Sequence, residues 1–390
     1  MSNYDVIIIG AGYAGSVMAE QYARDGKRVL ILEKKSHIGG NAYDYMDMNH
    51  IRIHEYGPHL FHTNFKEVVD YLSQFTEWYP YEHRVKGLIN DKFVPIPFNL
   101  TSIEELFDED KANELKEELV KEYGMEKKVP ILELRKSTNK EVKDLAEFIF
   151  EKVFKYYTMK QWDYTIEELS TTVTDRVPVF VSYDDRYFQD TYQCMPKEGF
   201  TRMFEKMLAS SNIEVRLNTE ALNVMKFDFK NHKIFFEGEE FKGKVIYTGL
   251  ADYLCGYKYG KLEYRSLWFD QKEYEGTYQT AVTCNYPTPK EIHPFTRITE
   301  YKLMMEDKEN PRTTIHVEYP YRYDENAEKG NIPYYTVFTE ENKARYEKYV
   351  EELKVFSNLI LLGRLAEFKY YNMDAIVLAA LDKYNELKKD

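Results

Sequence analysis

Five glycines near the start of the chain are spaced to hold a dinucleotide. Gly10, Gly12 and Gly15 form G-x-G-x-x-G in the run GAGYAG. The first allows a tight turn, the second lets backbone approach a pyrophosphate, and the third lets a helix lie close on the preceding strand. A helix opening there aims free N–H groups and a partial positive charge at phosphates. Glu33, 18 residues after Gly15, stands where a carboxylate accepts hydrogen bonds from a ribose hydroxyl. Gly39, Gly40 and Asn41 bring backbone close a second time, which suits FAD, whose diphosphate and ribityl chain run deeper into a protein than NAD does. His59 and His62 lie three apart in GPHLFHT. A metal pair there needs a third ligand, none is evident, and no HExxH spacing exists. Cys194, Cys255 and Cys284 are far apart with no CxxC pair, which excludes a disulfide framework and a sulfur-rich metal centre and fits a reducing compartment.

These residues need elements to position them. Residues 4–9 (YDVIII) predict a buried strand, 16–25 a helix stopped by Gly26, and 28–32 (RVLIL) a second strand ending at Glu33. Strand, glycine turn, helix, strand and acid is the context the motif requires. The charge-rich segments 103–128 and 141–157 have a helical period, the second with one apolar stripe. From 177 to 192 and from 277 to 335, alternating Val, Thr, Tyr and Phe broken by Pro predict antiparallel strands. Residues 358–362 (NLILL) predict another buried strand, and 374–388 an amphipathic helix with Asp374 as its N-cap. If that strand and helix rejoin the first unit, the latter is discontinuous.

The 390 residues allow about two or three domains. With 43% hydrophobic and 31% charged residues the chain reads as folded. A net charge of −13 disfavours nucleic acid as the main partner, while leaving room for a local basic pocket around a small phosphorylated ligand. The uncharged stretch 6–19 is too short to span a bilayer and has no basic region before it, so no membrane association and a cytoplasmic location are expected. The 35 tyrosines suit surfaces that stack on rings and offer a hydroxyl, although half-buried sheet positions account for most of them.

The blocks GAGYAG, EKKSHIGGNAYD, YGPHLFHTN, YTMKQW, TRITEYK, PYY and GRLAEFKYYNMD occur in that order over nearly the whole chain. Together they resemble the UDP-galactopyranose mutase family of the bacterial type. The resemblance implies an α/β fold: a discontinuous Rossmann-like FAD domain (1–78, 193–252, 338–390), an inserted helical domain (99–168) and a twisted antiparallel sheet domain (79–98, 169–192, 253–337). It implies an isomerase that interconverts UDP-galactopyranose and UDP-galactofuranose, a precursor of bacterial surface glycans. The reaction runs through a covalent adduct of the sugar with N5 of reduced FAD, in a protein commonly found as a homodimer.

The resemblance also carries residues over. Arg176 and Arg297 face the diphosphate, and His62 faces the flavin ring. Tyr157, Thr158, Trp162 and Tyr187 receive uridine and sugar, Tyr335 and Tyr370 the phosphates. Asn285 lies near the substrate, and His83 sits where some relatives have Asn. The cofactor set is Gly10, Gly12, Tyr13, Gly15, Glu33, Lys34, Gly39, Gly40, Asn41, His59, Leu60, Arg364, Met373 and Asp374. Trp162 also ends the apolar helix stripe, where a core role competes. Relatives often carry Asp at the position of Asn372 and His at that of Asp374, which places any acid–base role at 372 in doubt. The first fifty residues taken alone also fit a flavin oxidoreductase of the amine-oxidase type or a non-catalytic dinucleotide sensor.

Overall fold

The computed structural model describes residues 3–165, 178–305 and 307–389. A parallel sheet forms one centre, ordered Ile213–Arg216, Val29–Leu32, Val6–Ile9, Lys244–Tyr247 and Leu359–Leu361. Both of its faces are covered, which explains why its strands are apolar runs rather than alternations. Val6, Ile8, Ile31 and Ile246 face the core shared with the helices Tyr13–Arg24 and Met373–Leu387. Ile7, Leu30, Val245 and Tyr247 face the opposite core, closed by helix Glu340–Leu353. The strand at 359–361 thus rejoins the sheet built by the first thirty residues, and the final helix lies against the first, with the Tyr22 and Tyr384 rings edge to face at 5.0 Å.

The helical insert corrects one expectation and refines another. The segment 103–128 is not one helix but two, Leu100–Leu106 and Glu109–Tyr123. The break lies at Phe107 and Asp108, where the Asp108 carboxylate accepts the Lys111 N–H and caps a new helix. The remainder of that segment is the strand Lys127–Val129, paired with Val179–Val181. The second segment is helical over Lys140–Ile149, widens to a π-helical turn at Phe150–Lys155, and tightens again over Tyr156–Trp162. Such widened turns re-aim the residues that follow them.

The third unit is a seven-stranded sheet ordered Tyr335–Thr336, Tyr264–Glu275, Arg312–Arg322, Arg297–Glu300, Thr283–Asn285, Val85–Ile89 and Lys92–Ile96. It is antiparallel except where Thr283–Asn285 runs parallel to Val85–Ile89. That one parallel pair joins a hairpin from early in the chain to strands from late in it. A further correction concerns the last helix. Asp374 is not its N-cap: Asn372 holds that position without a side-chain hydrogen bond, and Asp374 lies in the first turn, accepting the Ala375 N–H at 2.8 Å. No described helix is long and apolar enough to cross a membrane.

Candidate functional site

Two clusters of candidate residues are built in different ways. At the first, the turn after strand Val6–Ile9 and the turn at Gly39–Gly40 face each other. A Cβ on Gly40 would lie 3.0 Å from the Gly12 Cα, and one on Gly15 would lie 2.0 Å from the Gly10 carbonyl oxygen. Only glycine lets these backbones approach so closely. Gly39 N–H donates to the Ala11 carbonyl at 2.8 Å, tying the two turns together. Gly12 sits at the N-cap of the first helix with no side chain capping it, so the helix's first N–H groups suit a diphosphate.

The buried Glu33 accepts the N–H of Ala11 and that of Lys35, each at 2.8 Å. A carboxylate has about four acceptor sites, which leaves room for a ribose diol. Lys35 Nζ donates to Asn41 Oδ1 at 2.8 Å and lies 3.6 Å from the Tyr56 ring centroid. Burial draws its pKa down to about 8. Lys34 is exposed, and the Tyr13 side chain belongs to the core against Phe204 at 4.8 Å. The donors and the glycine gap fit a dinucleotide such as FAD.

The second cluster is built on the large sheet. Asn285 lies opposite Arg297 across one strand pair, and Arg297 lies opposite Glu318 across the next, which sets all three side chains in one row on one face. Arg297 Nε donates to Glu318 Oε2 at 2.7 Å, and the buried Glu318 also accepts the Thr296 hydroxyl at 3.1 Å. Burial opposes the guanidinium charge, but Glu318, with Tyr157 and Tyr335 nearby, outweighs it and holds Arg297 well above its ordinary range. The Asn285 side-chain oxygen is buried without a hydrogen-bond partner.

Around this row stand the tyrosines. Tyr335 and Tyr370 stack at 5.9 Å and 17°, with the Arg364 guanidinium 5.4 Å and 4.8 Å from their ring centroids. Arg364 is itself fixed by donating to the carbonyls of Tyr334 and Tyr371. Burial, then Tyr370, pushes the Tyr335 phenol up to about 12, so it remains a protonated donor at neutral pH. Trp162 packs at 6.2 Å on Tyr335. Tyr157 is raised above its usual range, chiefly by burial. Thr158 lies half-buried on the same helix.

Tyr187 N–H donates to the His83 carbonyl at 2.7 Å, and the two rings meet edge to face. His83 is buried, bonded at Nδ1 to the Tyr81 hydroxyl at 2.9 Å. Burial, then the charges of Arg297 and His62, lowers it to about 3, so the ring is neutral.

The two histidines of GPHLFHT do not converge. His62 Nδ1 meets Asp190 Oδ2 at 2.8 Å, and its ring stacks on Phe188 at 3.6 Å. Asp190 is held in turn by Asn64 at 2.6 Å. His59 Nδ1 bonds instead to the Gly57 carbonyl at 2.8 Å, and the His59 backbone N–H donates to His54 Nδ1 at 2.9 Å. Burial, then His54, lowers His59 to about 3. Among the described residues no three His, Cys, Asp or Glu side chains are grouped to hold a metal ion.

Leu60 and Met373 pack on the core beside the first helix, and Asp374 lies at the start of the final helix. Arg176 lies outside the described residues. The residues missed from sequence are Glu318, Asp190 and Lys160. Glu318 had only the alternation of HVEYP as a signal, and the partners of all three come from distant segments.

A family model described as UDP-galactopyranose mutase matches residues 152–370, and one described as an NAD(P)-binding Rossmann-like domain matches residues 8–75. A UDP-galactopyranose mutase of Mycoplasma genitalium is 35% identical over 99% of this chain and 95% of its own. A dTDP-fucopyranose mutase of Escherichia coli is 29% identical over 97% of this chain and 96% of its own. A crystal structure of reduced UDP-galactopyranose mutase superimposes with a TM-score of 0.72 at 17% identity, covering 100% of this chain and 94% of that one.

Proposed function

Because the chain belongs to the UDP-galactopyranose mutase family, we propose that the two clusters described above form one cleft. In it UDP-galactopyranose and UDP-galactofuranose are interconverted on reduced FAD. The observation that carries this reading is Arg297, oriented by the buried Glu318 and flanked by Tyr157 and Tyr335, beside the stacked pair under Arg364. When bound, reduced FAD supplies a nucleophilic ring nitrogen, N5, for the anomeric carbon.

The chain's own residues do the rest. Breaking the anomeric C–O bond leaves the electron pair on the diphosphate, and Arg297 and Arg176 stabilise that charge. The protonated Tyr335 phenol and the Tyr370 hydroxyl donate to the phosphate oxygens. Tyr157, Thr158, Trp162 and Tyr187 form the walls for uridine and sugar, and Asn285 and the neutral His83 offer the sugar hydrogen bonds.

At the cofactor end, Gly10, Gly12, Gly15, Gly39 and Gly40 admit the diphosphate. Glu33 takes the ribose, with Lys34, Asn41 and the backbone of Tyr13 beside it. His59 and Leu60 border the ring through backbone, and Arg364 and the N-terminus of the last helix at Met373 and Asp374 favour its negative charge. His62 faces the ring with its Nδ1 fixed by Asp190. In this reading the protein works in the cytoplasm as a homodimer and supplies a bacterial surface glycan.

The likeness to a dTDP-fucopyranose mutase over nearly the whole chain favours a second substrate reading, a thymidine diphosphate 6-deoxy sugar. Dithionite-reduced holoenzyme given UDP-galactofuranose should yield UDP-galactopyranose on chromatography. Fully reduced protein that converts neither that sugar nor dTDP-fucofuranose would overturn the function.

A further inference from the structure

Lys160 lies on the helix Tyr156–Trp162 and is buried. Its ammonium donates to three backbone carbonyls: Tyr286 at 2.7 Å, Phe295 at 2.8 Å and His293 at 3.0 Å. An ammonium has three N–H donors, so none is left for a ligand. All three acceptors belong to the loop between strands Thr283–Asn285 and Arg297–Glu300. The ends of that loop are thus Asn285 and Arg297, two members of the polar row. Within the loop the Tyr286, His293 and Phe295 rings pack at 4.8 to 5.3 Å from one another, and the Thr288 hydroxyl bonds His293 Nδ1 at 2.9 Å. Burial lowers Lys160 to about 8, which leaves it charged at neutral pH.

The same stretch of helix is held from its other side. Arg265, also buried, donates to the carbonyls of Gln161 at 2.9 Å and Lys160 at 3.4 Å. It lies opposite Tyr335 in the sheet. Residue 160 therefore joins three walls: through its side chain the loop that carries Asn285 and Arg297, through its carbonyl the strand beside Tyr335, and through its helix Tyr157, Thr158 and Trp162.

Resting on the function proposed above, we infer that Lys160 is a positioning residue. It latches the uridine-side helix to the arginine-bearing hairpin and so sets the width of the nucleotide subsite without touching the nucleotide. Replacing the ammonium leaves three inward-facing carbonyls without their donor, and the loop must turn them toward water. The two walls then no longer share a fixed spacing, whereas the glycine cradle, held by other bonds, is unaffected.

The test is titration of oxidised, flavin-loaded holoenzyme with UDP, comparing wild type, Lys160→Met, Lys160→Gln and Lys160→Arg. The Met variant should weaken UDP binding about 10- to 30-fold and the Gln variant less. Arg, which keeps a charged donor, should restore most of the affinity, and the flavin-to-protein ratio should stay at the wild-type value. A purely structural lysine would lower the melting temperature without moving the Kd of the folded holoenzyme. A Kd within twofold of wild type in the Met and Gln variants would overturn the latch. So would Met and Gln variants that fail to fold or lose flavin, since Lys160 would then serve the fold as a whole. Wild type that does not bind UDP would instead overturn the function on which the latch rests.

Discussion

In the function proposed above, the glycine cradle and the arginine row solve the same problem, holding a diphosphate, by opposite means. The cradle uses backbone: the gap between Gly12 and Gly40 and the uncapped helix start need no charged side chain. The row uses a cation whose orientation depends on a carboxylate 21 residues further on, one strand away. A cofactor that stays bound suits a rigid backbone cradle. A nucleotide that must depart and be recaptured suits a charge held by one hydrogen-bonded partner. An acidic protein, at −13 overall, must concentrate cations where an anion is handled, and on the proposed function Arg297 and Arg364 serve that need.

The contrast can be broken at either end. Gly15→Ala carries the largest expected effect: its Cβ would sit 2.0 Å from the Gly10 oxygen, so strand and helix must separate. The purified variant should lack flavin, with affinity reduced about 100-fold or more, read from the ratio of absorbance at flavin and protein wavelengths. Arg297→Met comes next. Activity of the reduced enzyme should fall about 100- to 1,000-fold while flavin is retained, and Glu318→Gln, which only loosens the guanidinium, should lose about tenfold. Loss of flavin in Arg297→Met would erase the distinction between the two ends.

The difference in legibility follows the same division. The cradle is local: six residues of GAGYAG, two strands and an acid lie within the first 33 positions, so spacing and hydrophobic pattern suffice. Arg297 came from family resemblance, but Glu318, Lys160 and Arg265 act through pairings between segments separated by 21 to 135 residues. No local pattern encodes such contacts. Two of the errors were of chemistry already present in the sequence. Asp108 caps a helix and so splits the 103–128 segment, and the last helix begins before Asp374. The single parallel pair in the large sheet had no local signal at all.

An effect on stability rather than on activity follows from buried histidines. Burial, first of all, lowers His54 and His83 to about 3 and His316 to about 4. All three are neutral in the folded protein, whereas in the unfolded chain they titrate near 6.5. Below that pH the unfolded chain takes up protons that the folded one refuses. Stability should therefore be full above about pH 6.5 and fall by about 1.4 kcal/mol per pH unit for each histidine as pH drops toward 4. Melting temperatures from pH 7.5 to 4.5 check this, and a flat profile would contradict it. The smallest effect concerns the thiols. Burial pushes Cys194, Cys255 and Cys284 up to about 12, so iodoacetamide at pH 7.5 should leave activity unchanged within twofold.

The most direct test counts electrons against product. Holoenzyme reduced anaerobically with one equivalent of dithionite should convert a large excess of UDP-galactofuranose, many molecules per flavin, and still hold its two electrons at the end. Sugar conversion limited to one molecule per flavin, with the flavin returned to its oxidised yellow form, would contradict an isomerase and identify an oxidoreductase.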